Sequence, residues 1–360
     1  MIHLYHNNKF RLCQEEIDGF GNLFTILAVA AGDGTEIDMR KAIKVIAVLL
    51  ICSFAVFGTG CLGCGGCSAL IDMINNYYAP LAVDWSEEIG RIYLDIGFGE
   101  WSDTSYDLYI PASLNEDKEC SLILFIHGGS FSGGDKADED AWCKFFASKG
   151  YITATVNYSL MGEGKSSNIN LMNEQILACV SAIKEDCLAR GYDLKQMATS
   201  GQSAGGCLAM LYAYSHAEDS PIPVKFVFQQ TGPASFHIEH WGGEVTADAY
   251  SEVVNAVLGW SGKKITEEMV ADGSYRKFID EISPLCLVDE NTVPTLCAYS
   301  KEDALVPPSI KFILFEQFEK YGVTYEFVHY ENSNHPLMHD PDKQEYFVKR
   351  SLEYCEMYFE

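Results

Sequence analysis

Ser203 stands in the run Gly201-Gln202-Ser203-Ala204-Gly205-Gly206. A G-x-S-x-G run suits a sharp turn between a strand and a helix, because that turn is strained and the flanking backbone packs closely. The context agrees: Met197 to Ser200 reads as a short strand, and Cys207-Leu208-Ala209-Met210-Leu211 continues as an apolar helix. A hydroxyl is a weak nucleophile until a base takes its proton, and the base in turn needs an orienting carboxylate. Both follow in the order Ser…Asp…His. Asp303 lies in Tyr299-Ser300-Lys301-Glu302-Asp303-Ala304, and His335 in Glu331-Asn332-Ser333-Asn334-His335-Pro336. Glu302 is the rival acid and His339 the rival base. Upstream, His127-Gly128-Gly129-Ser130-Phe131 offers two residues without side chains, so that backbone N–H groups can approach a developing oxyanion. The chemistry these types point to is nucleophilic acyl transfer from a serine.

Such groups must be carried to one place by strands. Leu122 to Ile126 is an uninterrupted apolar run that ends at His127, as expected of a strand buried on both faces. Tyr151 to Val156, Val224 to Phe228, Thr295 to Tyr299 and Tyr325 to Tyr330 read as further strands, with Ile92 to Ile96 and Tyr106 to Ile110 ahead of them. Asn168 to Leu188 has helical spacing (Met172, Ile176, Cys179, Ile183), and a last helix is expected over about 342–358. Alternating strands and helices imply an α/β fold with a mainly parallel central sheet flanked by helices. Ser203, Asp303 and His335 all follow strands, so all three fall on the sheet's C-terminal edge. Residues 234–283 break the rhythm, and a small cap insertion is expected there. Its Phe236, His237, His240, Trp241 and Trp260 are candidates to shape a pocket.

Together these motifs resemble the α/β-hydrolase superfamily. They are most similar to bacterial carboxylesterases with an HGG loop, related to the feruloyl- and acetyl-esterase-like and hormone-sensitive-lipase-like groups. The resemblance covers about residues 90–360, including Ile282-Ser283-Pro284 and Val293-Pro294-Thr295-Leu296. It implies Ser203 as nucleophile, Asp303 as acid and His335 as base, with the backbone of Gly128, Gly129 and Ala204 as the oxyanion hole. It implies no metal and no organic cofactor. The chain departs from the pattern at Ser130 (the third glycine of an HGGG loop), at Gln202 (often Asp) and at Tyr158-Ser159-Leu160 (often Tyr-Arg-Leu).

The N-terminal part reads differently. Met39-Arg40-Lys41-Ala42-Ile43-Lys44 is basic, Val45 to Phe57 is an apolar run of 13 residues, and Gly58-Thr59-Gly60-Cys61 follows. That order describes a secretory signal, and the run is short against the about 20 residues that span a bilayer. The Thr-Gly-Cys ending resembles a bacterial lipoprotein signal, with Gly58 where Leu is usual. The expected organisation is therefore an upstream extension over 1–38 and a signal or membrane anchor over 39–60. A linker over 61–85 and a catalytic domain over 86–360 follow. Membrane attachment would run through the N-terminal segment or a lipidated Cys61, and the product would be exported to the cell surface or secreted. Cys61, Cys64 and Cys67 have C-x2-C-x2-C spacing, but no fourth ligand stands nearby, and a flexible tether is the better reading. Cys120, Cys179, Cys207 and Cys297 read as small buried hydrophobes.

The chain has 360 residues, 25 Lys+Arg against 51 Asp+Glu, and a formal charge of −26. Residues 1–60 hold five of the bases and six of the acids, which leaves −25 on the remainder. So acidic a domain is a poor partner for nucleic acid or for an anionic lipid surface. The function expected is a serine carboxylic-ester hydrolase acting on a small-molecule or carbohydrate-linked ester. An amidase, formamidase or peptidase on the same residues is the alternative, and a non-catalytic binding module that keeps the fold is a third. The sequence leaves acyl and alcohol specificity open.

Overall fold

The computed structural model describes residues 65–114, 119–162, 165–243 and 250–359. The expected extension, signal segment and lipidation site at Cys61 lie outside the described residues, as does Cys64. Among the described residues no helix is long and apolar enough to cross a membrane.

Eight strands form one sheet among the described residues: β1 (Gly90–Gly97), β2 (Ser105–Pro111), β3 (Glu119–Ile126), β4 (Ile152–Asn157), β5 (Asp193–Gln202), β6 (Val224–Gln230), β7 (Thr295–Ser300) and β8 (Tyr325–Tyr330). Their order is β1-β2-β4-β3-β5-β6-β7-β8. The first two pair antiparallel, β2 meets β4 antiparallel, and every pair from β4 to β8 is parallel. The mainly parallel α/β architecture expected from the sequence is the one observed.

The apolar runs make sense of the layering. Alternate residues of a strand face opposite ways, and a strand buried on both faces has no polar side to show. In β3, Leu122, Leu124 and Ile126 enter the core on one face, while Ile123 and Phe125 enter a second core on the other. The first core is covered by α3 (Ile169–Ala189), α4 (Ala204–Ser215) and α8 (Ser309–Tyr321). The second is covered by α2 (Asp140–Ser148) and α9 (Pro341–Tyr358). Cys120, Cys179, Cys207 and Cys297 are buried in the first core, as their apolar surroundings suggest.

One boundary differs from expectation. Residues 65–81, read from sequence as part of a linker, form the helix α1 (Gly65–Tyr78) and a 3-10 turn (Ala79–Leu81). Tyr77 and Leu81 are buried, and the Tyr77 hydroxyl donates to Gln230 Oε1 at 3.0 Å. Gln230 Nε2 in turn donates to Gln344 Oε1 at 3.0 Å, which also accepts from the Tyr330 hydroxyl at 2.9 Å. A buried polar chain of this kind ties α1, β6, β8 and α9 together, because three donors from different elements find their acceptors in it. The compact unit thus begins at Ala69, ahead of the expected residue 86.

The insertion between β6 and β7 is helical. It contains a 3-10 turn (Ile238–Trp241), α5 (Tyr250–Ser261), α6 (Glu267–Ala271) and α7 (Arg276–Asp280). Val253, Val257 and Ile279 bury into the first core, which fixes this cap on the sheet's side.

Candidate active site

The serine stands between β5, which ends at Gln202, and α4, which starts at Ala204. Its backbone has φ 57° and ψ −122°, a conformation L-residues rarely adopt. The strain is held by the neighbours: Ser203 N–H donates to the Gln230 carbonyl at 2.8 Å, and the Ser203 carbonyl accepts from Cys207 N–H at 3.0 Å. Two glycines are sterically obligatory. A Cβ on Gly201 would lie 2.4 Å from the Ile126 carbonyl oxygen, and one on Gly205 only 1.8 Å from it.

Asp303 follows β7 and His335 follows β8, so adjacent parallel strands deliver acid and base to the edge where the serine emerges. His335 Nε2 is 2.8 Å from Ser203 Oγ, and His335 Nδ1 is 2.7 Å from Asp303 Oδ2. The other carboxylate oxygen, Oδ1, accepts from Leu305 N–H at 2.8 Å and Val306 N–H at 2.9 Å. The Asp303 side chain is 4% exposed and that of His335 10%, so water competes weakly for these bonds. A carbonyl or carboxylate oxygen can only accept, which makes Nδ1 the protonated nitrogen and leaves Nε2 to accept from the serine hydroxyl. The rivals Glu302 and His339 are both exposed; the base that meets Ser203 is His335, and the acid that meets His335 is Asp303.

Several supporting residues were not read from sequence. Asn334 Oδ1 accepts from Ala304 N–H at 2.9 Å and His335 N–H at 2.8 Å, which joins the acid loop to the base loop. Gln202 Nε2 donates to the Pro336 carbonyl and Thr231 Oγ1 to the His335 carbonyl, both at 3.3 Å. Asp340 closes the far side of the base loop, accepting from Ser333 Oγ at 2.7 Å and Asn332 N–H at 3.0 Å. Burial alone would raise the Asp340 carboxyl, but the bonds from Ser333 and Asn332 outweigh it and hold the group below the usual carboxylate range.

The glycine loop lies against the serine. A Cβ on Gly128 would meet the Gln202 carbonyl oxygen at 2.8 Å and Ser203 Cβ at 3.4 Å. Gly129 has φ 110°, where an added Cβ would stand 2.2 Å from the Gly133 carbonyl oxygen. His127 is fully buried, its ring 4.4 Å from that of Tyr158 and nearly parallel at 10°. Its Nδ1–H donates to the Gly128 carbonyl at 2.7 Å, and the Tyr158 hydroxyl donates to the His127 carbonyl at 2.8 Å. Burial pushes the His127 imidazole below its ordinary range, consistent with a neutral structural ring. At the far end of the loop Lys136 pairs with Asp95 at 2.7 Å and Asp107 at 3.0 Å. The cap reaches this loop through Phe236, whose ring packs edge-on to Phe131 at 5.8 Å and against Trp260 at 5.4 Å.

A serine in a strained strand-to-helix turn, on a mainly parallel sheet with helices on both faces, defines an α/β hydrolase. The family profile of BD-FAE matches residues 106–318, and the chain belongs to that family of α/β-hydrolase esterases. Among curated proteins, Esterase LipI of Mycobacterium tuberculosis is 28% identical over 120 residues. That match covers 33% of this chain and 37% of the relative's length. Among solved structures, esterase B from Lactobacillus rhamnosis superposes with a TM-score of 0.59 at 18% identity, covering 81% of this chain and 94% of the other. An esterase from Thermogutta terrifontis gives 0.59 at 17% identity over 75% and 94%, and a truncated carbohydrate esterase from gut microbiota gives 0.58 at 16% over 75% and 98%. At those identities the structures speak for the fold.

Proposed function

We propose that this chain is a serine carboxylic-ester hydrolase that works through an acyl-enzyme intermediate. The observation that carries the reading is the continuous relay from Asp303 to His335 to Ser203, with links of 2.7 and 2.8 Å. His335 Nε2 takes the hydroxyl proton as Ser203 Oγ attacks the ester carbonyl. Asp303 holds the imidazole by Nδ1–H and stabilises the imidazolium that forms. The carbonyl oxygen becomes an oxyanion and is met by backbone N–H groups of Gly128, Gly129 and Ala204, donors each worth a few kcal/mol in such sites. Collapse expels the alcohol, which leaves with the proton from His335. A water activated by the same base then releases the acid from Ser203.

The substrate class is a small-molecule or carbohydrate-linked ester. Supporting this are the esterase name of the curated relative and the structural neighbours, one of which is a carbohydrate esterase. The strongly acidic domain disfavours polyanionic substrates. We place the protein outside the cytoplasm, exported by the segment 39–60 and held at a membrane through that segment or a lipidated Cys61.

The test of the reaction is Ser203→Ala. Hydrolysis of p-nitrophenyl acetate and covalent labelling by a fluorophosphonate should both vanish, with the melting temperature retained. Undiminished turnover in this variant would overturn the assignment.

A further inference from the structure

The base of the cap brings together an imidazole, a carboxylate and a thiol that the ester chemistry does not use. We propose that His237, Asp280 and Cys286 form a binding site for a divalent cation of zinc type. His237 opens the insertion just past β6, whereas Asp280 and Cys286 lie at its other end, ahead of β7. An ion held by all three would clamp the two ends of the cap to each other.

The donor atoms already converge. His237 Nε2 is 2.8 Å from Asp280 Oδ1 and 3.6 Å from Cys286 Sγ, and all three atoms lie within 4.8 Å of one another. Tetrahedral zinc, with bonds of about 2.0–2.3 Å, separates its donors by roughly 3.3–3.8 Å. The thiol–imidazole edge therefore fits as it stands, and the carboxylate need retreat by only about half an ångström. A mixed S, N, O set favours zinc over calcium or magnesium, which take oxygen alone. Cys286 is exposed, which leaves the ion a route in and a fourth position for water.

The surroundings suit a metal-bound imidazole. His237 Nδ1 faces Arg276 Nη1 at 3.3 Å and Glu239 Oε1 at 4.0 Å. Arginine only donates, so without an ion Nδ1 accepts and Nε2–H donates to Asp280. With the ion on Nε2, the ring proton moves to Nδ1 and Glu239 becomes its acceptor, the carboxylate-behind-histidine arrangement common in metal sites. Arg276 Nη1 is also ion-paired with Glu239, so an ion on Nε2 requires that guanidinium to turn off Nδ1, which its 45% exposed side chain has room to do. The site shares no residue with the Ser203 relay and stands apart from the esterase proposal. It does adjoin Phe236, so an ion there would steady the cap segment that packs on Phe131.

The test uses the full chain, stripped with a chelator and titrated with Zn²⁺ alone by calorimetry. A parallel titration with Co²⁺ reads thiolate ligation from its charge-transfer absorption. One equivalent of zinc is expected. Cys286→Ser should abolish the cobalt–thiolate band, and Cys286→Ser and His237→Ala should each weaken zinc binding by about tenfold or more. Cys61, Cys64 and Cys67 are rival ligands, so the titration is repeated on the variant with all three changed to Ser, where binding should persist. The proposal is overturned if the parent binds no zinc, if Cys286→Ser and His237→Ala bind it like the parent, or if the N-terminal triple variant loses it.

Discussion

Asp303→Asn tests the relay at the point where the structure makes the sharpest demand. Asp303 Oδ1 accepts two backbone N–H groups, from Leu305 at 2.8 Å and Val306 at 2.9 Å, and Oδ2 accepts from His335 Nδ1 at 2.7 Å. An asparagine keeps the shape but has only one acceptor oxygen. Two backbone donors hold that oxygen at the Oδ1 position, since turning the amide over would set its NH2 against both of them. The NH2 then faces His335 and forces Nδ1 to accept, which moves the ring proton to Nε2. In that tautomer His335 can no longer take the Ser203 proton. The loss expected is about 10³–10⁴-fold in kcat, or roughly 4–5.5 kcal/mol at about 1.36 kcal/mol per decade. KM and melting temperature should change little, because packing and the backbone bonds survive. Steady-state kinetics on p-nitrophenyl acetate, with thermal melts alongside and Glu302→Gln as the control of similar chemistry, provide the assay. A kcat for Asp303→Asn within tenfold of the parent, or an equal loss in Glu302→Gln, would refute the tautomer argument.

Asn334→Ala should separate positioning from chemistry: the one oxygen that accepts two N–H groups disappears, so kcat falls about tenfold with KM little changed, at a stability cost of about 0.5–1.5 kcal/mol; an unchanged kcat would show that the loop bridge is dispensable. Gly128→Ala should lower kcat by one to two orders of magnitude, roughly the effect of a misplaced oxyanion donor. The clash is with the Gln202 carbonyl at 2.8 Å, beside the nucleophile, and full activity would show that the loop accommodates a Cβ there without displacing its N–H groups, against this steric reading. Burial, with Asp138 nearby, pushes the Glu139 carboxyl up to about 8 from its ordinary 4.5. The native state then keeps a proton that the unfolded chain releases, so this group's contribution to stability is fully present below pH about 4.5 and is lost as pH rises towards 8. Glu139→Gln, neutral in both states, should match the parent's stability at the acid end of that window and exceed it at the alkaline end, by a few kcal/mol at about 1.36 kcal/mol per decade, read as a melting temperature that rises above the parent's. A melting difference that is flat across the window would contradict this.

The relay was legible in sequence because each member carries its own local sign. Ser203 has glycines that only a close-packed turn requires, and Asp303 and His335 each follow an apolar strand. The choice between Asp303 and Glu302, or His335 and His339, was weaker in the sequence, since neighbours in a loop share composition. Geometry separates them by burial: the Asp303–His335 pair that leads to Ser203 is enclosed, and the rivals are exposed. The supporting bonds had no such sign. Asn334 reaches Ala304 across 30 residues and Gln202 reaches Pro336 across 134, and no periodicity encodes a partner at those separations.

The elements that composition leaves unmarked share one physical cause. Gly65-Gly66-Cys67-Ser68 reads as a tether by composition, yet the helix that starts there is fixed by what lies beyond it, Tyr77 bound to Gln230 and Leu81 sunk in the core. Tertiary burial overrides a weak local preference. The helices α2 and α8 were likewise not singled out, although Phe145 and Phe146 of α2 and Ile310 and Leu314 of α8 are buried. Their apolar residues serve two different faces of the sheet, so what each covers depends on the strand order. That order, with β4 lodged between β2 and β3, is a property of pairing and not of any one segment. Residue type is enough to suggest a class of chemistry. Placing its supports requires the contacts, and the cap cluster of His237, Asp280 and Cys286 is the clearest instance, because its members make a site only once the two ends of the insertion meet.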